Sequence, residues 1–431
     1  MAISGNIKTV VSQSQIPAID FRQIAFEPGA VWLDSSLCFA DRGHSSFIAH
    51  QPVMDIYQQG QQVVVTRPDS HKTVRLDADI FEVLESYWAD HSLFSVGYIS
   101  YEACHGFLDL EEICPHDDIP SVRFLFYERV QQYRQPGNDS TSNDSIDYPD
   151  SRLTRIVPTL SRDEYCHRVS RIKEYIREGD IYQANFTTRF DIHSPADPFD
   201  VYELLRHLNP APYSAYLNFG DYQVLSSSPE RMFLKTDDSI TSGPIKGTIA
   251  RSDCPEDDAR QLLASNKDRA ELLMIVDLVR NDLGKIAQTG SVRVDEMFKP
   301  EVYSSVVHLV GDVAAKIHPK TRLTQILKAL LPGGSITGAP KRRAVEIISQ
   351  LESIPRSVYT GCIGYVHGNR ADFNIAIRTM VHSRGVYHIH AGGGIVADSD
   401  PEAEYREMLL KADNLFRALN IERKEMACFK P

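Results

Sequence analysis

The chain has 431 residues, of which 42% are apolar and 24% charged, and a net charge of −12. That composition excludes a disordered chain and gives room for two ordinary domains or one large intertwined unit. The acidic balance argues against nucleic acid as a partner, because phosphate backbones attract basic faces, yet local cations can still hold a small anionic substrate.

Seven cysteines (38, 104, 114, 166, 254, 362 and 428) are scattered without a CxxC, so neither a zinc site nor a disulfide framework is expected. Met1–Asp20 lacks a basic stretch followed by a long apolar one, and no run approaches 18 apolar residues. These features imply no membrane span and a reducing, cytoplasmic setting.

Along the chain, Gln62–Thr66 and Val122–Tyr127 read as strands and Phe81–Trp88 as a helix. A polar Gly/Ser/Asn-rich stretch then marks a linker or long loop over 135–152, dividing an N-terminal region (1–134) from the remainder (153–431). Helical spacing of Tyr165, Val169, Ile172 and Ile176 predicts a helix over Arg162–Glu178, ended by Gly179. Strands follow at Ala215–Phe219 and Tyr222–Ser226, a helix across Glu256–Arg280, strands within 291–313, and helices over 322–331 and 340–351. Gly361–His367 and Tyr387–Ala391 read as strands, and a last helix begins at Asp400-Pro401. Helices and strands mix without βαβ alternation, which predicts an α+β fold built on antiparallel sheets.

Several constellations carry possible chemistry. Lys246, in Ser242-Gly243-Pro244-Ile245-Lys246-Gly247-Thr248, is a candidate amine nucleophile where its charge is suppressed. Two short strands joined by a turn would bring it to Glu230, an acid–base partner, although such a pair is commonly a solvated surface contact. On the last helix Glu404, Glu407 and Lys411 fall within an arc of about 60°. Two carboxylates on one face suit Mg²⁺, and an exposed Glu–Lys face is the alternative. Gly392, Gly393 and Gly394 follow a strand as a backbone nest for an anion, or as a tight bend. Lys267, Asp268 and Glu271 open a second helix, with Glu271 a candidate opposing metal ligand or a surface acid. The 332–341 stretch, Pro332-Gly333-Gly334 to Pro340-Lys341, lacks the Gly-Lys-Ser/Thr ending of a phosphate loop.

Together these segments resemble the chorismate-utilising enzymes over about 160–418. The matching pieces are Gly179–Asn185, Ser228–Arg231, Lys267–Glu271, His308–Val310, the 332–341 loop, Arg378-Thr379, Gly392–Gly394 and Glu404–Lys411. The resemblance implies two antiparallel sheets packed as a sandwich with helices outside. It also implies that Gln183 marks an ammonia user, since members that add water carry lysine there. Lys246 stands where anthranilate-forming members carry alanine, which points to the branch that exchanges the chorismate 4-hydroxyl for ammonia, on the way to 4-aminobenzoate and folate.

By the same resemblance Lys246 forms a covalent adduct and Glu230 is the general acid and base. Glu271 and Glu407 hold Mg²⁺, with Glu404 close by. Arg378 and Gly392–Gly394 bind substrate carboxylates, and Thr248, Lys411, His308 and Gln183 line the pocket; His308 in an apolar strand is also readable as a core group. A Gly-x-Cys-x-Gly-His glutaminase elbow is missing, and Cys362 reads as a strand residue, so a separate glutamine amidotransferase subunit is expected as the ammonia source. Ser36, with Pro212, Tyr213 and Ser214, resembles a tryptophan pocket of relatives. The rival readings are an anthranilate-forming enzyme on the same scaffold and a non-catalytic, metabolite-binding regulatory subunit.

Overall fold

A computed structural model describes residues 10–14, 20–37, 45–89, 93–111, 113, 119–134, 155–303 and 306–421. The expected linker at 135–152 lies outside them, as do Cys38, Cys114, Cys428 and most of the first 20 residues.

Two sheets of eleven and twelve strands, counted among the described residues, form the frame. The ladders are antiparallel except for Val10–Ser14 against Arg129–Tyr133, which run parallel. This is the expected α+β architecture. Between the sheets, Phe47 packs on Phe94 and Tyr365 with ring centroids 5.2 and 4.7 Å apart. The Tyr98 and Tyr222 hydroxyls bond across the same gap at 2.7 Å. A larger apolar core, including Phe186, Ile275, Leu309, Met408 and Phe416, lies where helices cover the sheets. Each such side chain, fully buried, contributes roughly 1.5–3 kcal/mol. Both sheets take strands from each side of 135–152: Val31–Asp34, for instance, pairs with Tyr213–Asn218. No helix among the described residues is long and apolar enough to cross a membrane.

Local chemistry explains most element ends. Ser161 and Glu164 form a reciprocal capping box at the start of Arg162–Glu178, and Gly179 ends that helix at φ 83°. The helix expected over Glu256–Arg280 is two, Pro255–Ala264 and Asn266–Gly284. Ser265 divides them: its backbone is extended and its hydroxyl accepts from the Asp268 amide at 3.2 Å, the N-cap role serine favours.

The site rests on six strands and three helices. In chain order these are β1 (Gln183–His193), β2 (Arg231–Thr236), β3 (Ser239–Gly243), β4 (Ile245–Ala250), α1 (Asn266–Gly284), β5 (Val306–Lys316), α2 (Lys341–Leu351), β6 (Val386–Ile395) and α3 (Pro401–Ala418). Gly392–Gly394 do not follow a strand, as expected, but lie inside β6. The reason is β1, long enough to carry the ladder on and pair Asn185, Phe186 and Thr187 with Gly394, Gly393 and Gly392. On the other side, the Thr379–Ser383 strand ends opposite Ile389, so the described strands leave that edge of the glycine run open.

Candidate active site

The β2–β3 hairpin pairs Arg231 with Gly243, and Pro244 leads directly into β4. Glu230, just before β2, thereby meets the start of β4: the Ile245 amide donates to Glu230 Oε1 at 3.3 Å. Glu230 is buried, at 3% exposure. The register slips between Lys246 and Thr248, where Gly247 takes φ 74°. A Cβ on Gly247 would lie 3.0 Å from that of Asp268, so β4 runs against the first turn of α1. The fold thus brings the Glu230 carboxyl to the residue beside Lys246, near enough for its charge to act on the Lys246 amine.

The bare backbone of β6 shows where the Lys246 amine goes. A Cβ on Gly394 would sit 3.4 Å from Lys246 Nζ and 2.9 Å from Gln183 Nε2. One on Gly393 would sit 3.2 Å from Lys411 Nζ, 3.4 Å from Glu404 Oε2 and 4.0 Å from Glu407 Oε1. The two glycines therefore bring the nucleophile candidate and the α3 side chains onto adjacent stretches of one strand. Gln183 is fully buried, and neither its Nε2 nor its Oε1 has a hydrogen-bond partner. A buried carboxamide with both ends unmet is costly unless something else completes it.

Asp400 caps α3 through the Ala403 amide at 2.8 Å, as its sequence predicts. Glu404 is buried and accepts from the Ser399 hydroxyl at 2.6 Å. Glu407 is half exposed and pairs with Lys411 at 2.8 Å, whose Nζ also donates to the Gly392 carbonyl at 3.3 Å. Across the cleft on α1, Glu271 lies 3.9 Å from the exposed Lys267.

Burial holds the Lys246 amine below its usual pKa; Glu271 opposes that shift most, and the nearby Lys411 charge adds to it. Lys411 holds Glu407 below the usual carboxylate range, whereas burial raises Glu404. An amine prone to neutrality beside carboxylates of two characters is the pattern expected of acid–base and nucleophilic chemistry. Among the described residues no three acidic, histidine or cysteine side chains already converge as a metal cluster. Mg²⁺ needs only one or two carboxylates beside waters and substrate oxygens; Glu404 Oε2 and Glu407 Oε1 both lie against the Gly393 backbone, beside Lys411 Nζ, and such a pair of carboxylates fits the ion.

Arg378 takes φ 51° and donates to Asn209 Oδ1 at 2.8 Å. Asn209 in turn reaches Ser227 Oγ at 2.8 Å, which locks the arginine to the strand before Glu230. His308 is buried against the Tyr303 ring, with centroids 4.8 Å apart, and its pKa falls to about 3, through burial first and then the Arg378 charge. It is a neutral imidazole at the arginine end of the pocket. Thr248 faces His308 in the β4–β5 ladder; its side chain falls outside the described residues.

The loop before α2 is held by β1 and by a buried arginine. The Asn185 amide donates to the Thr337 carbonyl, and the Tyr182 amide to that of Ala339. Arg356, 1% exposed, donates to the Asn185 and Ile336 carbonyls at 2.6 and 2.9 Å and pairs with Glu352 at 2.7 Å. Sequence reading missed Arg356, Asn209, Ser399 and Tyr303. Of these only Ser399, one residue before an N-cap, carried a local signal.

Pro212, Tyr213 and Ser214 line a separate cavity of about 110 Å³ between the sheets, with Asp34, Phe47, Arg231, Tyr365 and Asp372. Ser36 joins it through Ser214, hydroxyl to hydroxyl at 3.1 Å. Cys362 is a buried strand residue, as expected.

Comparisons with known proteins bear on the fold and the family. The chain is similar to aminodeoxychorismate synthase component 1 of Escherichia coli (strain K12), 32% identical over 453 residues, covering 97% of this chain and 99% of that protein. It is 44% identical over 302 residues to anthranilate synthase component 1 of Pseudomonas putida, covering 69% of this chain but only 61% of that protein. Among solved structures, anthranilate synthase component I from Streptococcus pneumoniae TIGR4 superposes with a TM-score of 0.75 at 29% identity, covering 88% of this chain and 93% of that one. The model of the family described as chorismate binding enzyme matches residues 34–417, and the chain belongs to that family.

Proposed function

We propose that the chain binds chorismate and replaces its 4-hydroxyl with ammonia, giving 4-amino-4-deoxychorismate and water. The observation that carries this reading is the Lys246 amine, half-buried and depressed in pKa, beside Gln183 and Gly394 on the cleft shared with Glu230, Glu271 and Glu407. In the first step Lys246 Nζ bonds to ring carbon 2, both ring double bonds shift by one position, to carbons 1 and 6 and to carbons 4 and 5, and the bond from carbon 4 to oxygen breaks as Glu230 gives its proton to the departing hydroxyl. The Glu230 carboxylate then takes a proton from the incoming nitrogen. Ammonia bonds to carbon 4, both double bonds shift back, and the bond between carbon 2 and Lys246 breaks, releasing the neutral amine. Mg²⁺, held by Glu271 and Glu407 with Glu404 adjacent, would neutralise and orient a substrate carboxylate. Arg378 and the open edge of Gly392–Gly394 hold substrate carboxylates, and Gln183 offers its unmet carboxamide to the ammonia.

The ammonia comes from a glutamine amidotransferase subunit, a reading supported by relatives named as component 1. The product leads to 4-aminobenzoate and folate. The inter-sheet cavity takes tryptophan, its hydroxyls and the Arg231–Asp372 pair, 3.2 Å apart, offering polar contacts; calorimetry with tryptophan tests it, and no heat would remove the assignment. Scattered free thiols at Cys104, Cys166, Cys254 and Cys362 suit a cytoplasmic setting.

The deciding experiment incubates the chain with chorismate, Mg²⁺ and ammonium and determines the product by mass and fluorescence. Fluorescent anthranilate formed without an added lyase would assign the nitrogen to carbon 2 instead, the chemistry named for the Pseudomonas putida relative.

A further inference from the structure

Lys267 occupies an unusual place. It is the second residue of α1, where the helix dipole favours an acid over a cation. Its side chain is 71% exposed, yet its Nζ stays 3.9 Å from Glu271 Oε1. Its charge also reaches across the cleft to Glu404 and Glu407, lowering the proton affinity of both. Lys411 is different: it is fixed on its own helix by Glu407 and by the Gly392 carbonyl. One loosely held ammonium thus stands among carboxylates of two facing helices.

Resting on the metal reading above, we propose that Lys267 is a removable counter-charge that competes with a divalent cation for Glu271 and Glu407. Two positive species cannot share the same few oxygens without strong repulsion, and hard oxygen ligands bind best when no ammonium neutralises them. The exposed side chain swings out into water at little cost when an ion arrives. Competition of this kind keeps ion binding weak in the empty cleft and lets the substrate carboxylate, a further oxygen donor, tip the balance.

The test is Mn²⁺ binding to the full chain, read by the electron paramagnetic resonance of free Mn²⁺, with no turnover involved. K267Q is expected to bind roughly twofold to fivefold more tightly than the parent, the size expected for losing one exposed charge contact. K267R, which keeps the charge, and K320Q, which removes a charge in the turn after β5, should leave affinity unchanged, and E271Q should weaken it. If K267Q binds no more tightly while E271Q still weakens binding, the counter-charge fails and the metal site stands. If K320Q tightens binding as much as K267Q, the effect is general and the assignment to Lys267 fails. If neither the parent nor K267Q binds Mn²⁺, with or without chorismate, both the counter-charge and the metal reading fall.

Discussion

Gly394 and Lys246 meet across the cleft, the Lys246 Nζ lying 3.4 Å from where a Gly394 side chain would begin. Glycine there is a matter of space, since an added methyl would also come within 2.9 Å of the buried Gln183 Nε2. Gly394→Ala is expected to lower kcat about 10- to 100-fold, because small displacements of a reacting group cost that much. The strand itself should survive, so unchanged circular dichroism with unchanged kcat would show that Lys246 is not the reacting amine.

Lys246 also links activity and stability to pH. Its pKa is lower in the fold than the unfolded value near 10.5. Between those two values the unfolded chain binds more protons, so this lysine makes stability rise with pH through that window and destabilises the fold below it. Lys246→Met should remove that slope, raising the melting temperature at neutral pH by roughly 2 °C or more while abolishing turnover. Activity of the parent, which needs the neutral amine, should rise with pH along the same limb. Matched stability–pH curves for parent and variant would contradict the depressed amine.

Glu404 and Glu407 should behave differently despite sharing a helix face. Glu407, half exposed and held ionised by Lys411, is available to a cation. Glu404 is buried and already engaged by Ser399 at 2.6 Å. Glu407→Ala is expected to cost at least about 10²-fold in kcat and to erase the response to added Mg²⁺, while Glu404→Gln costs about tenfold. Magnesium titrations of both variants check the order.

Arg356 is a structural test. Removing it leaves the Glu352 carboxylate buried without its ion pair, and the Asn185 and Ile336 carbonyls lose their donor. Arg356→Met should destabilise by about 3–5 kcal/mol, with Glu352→Leu in the same chain restoring part of it. Urea unfolding of the single and double variants measures the coupling; additive losses would mean the pair is not the keystone of the loop before α2.

By itself the sequence determined the features that depend on neighbours within a turn or a strand. The capping box at Ser161, the stop at Gly179 and the Asp400 cap were all legible, because each is set by a handful of consecutive residues. The ordered segments also carried the family. Tertiary structure alone decided that Gln183, Lys246, Glu271, Gly394 and Glu407 gather in one place, since their meeting depends on sheet register and on how helices pack over it. The same long-range pairing ran a strand through Gly392–Gly394. Packing over distance also buried Arg356, whose carbonyl partners Asn185 and Ile336 lie in separate segments.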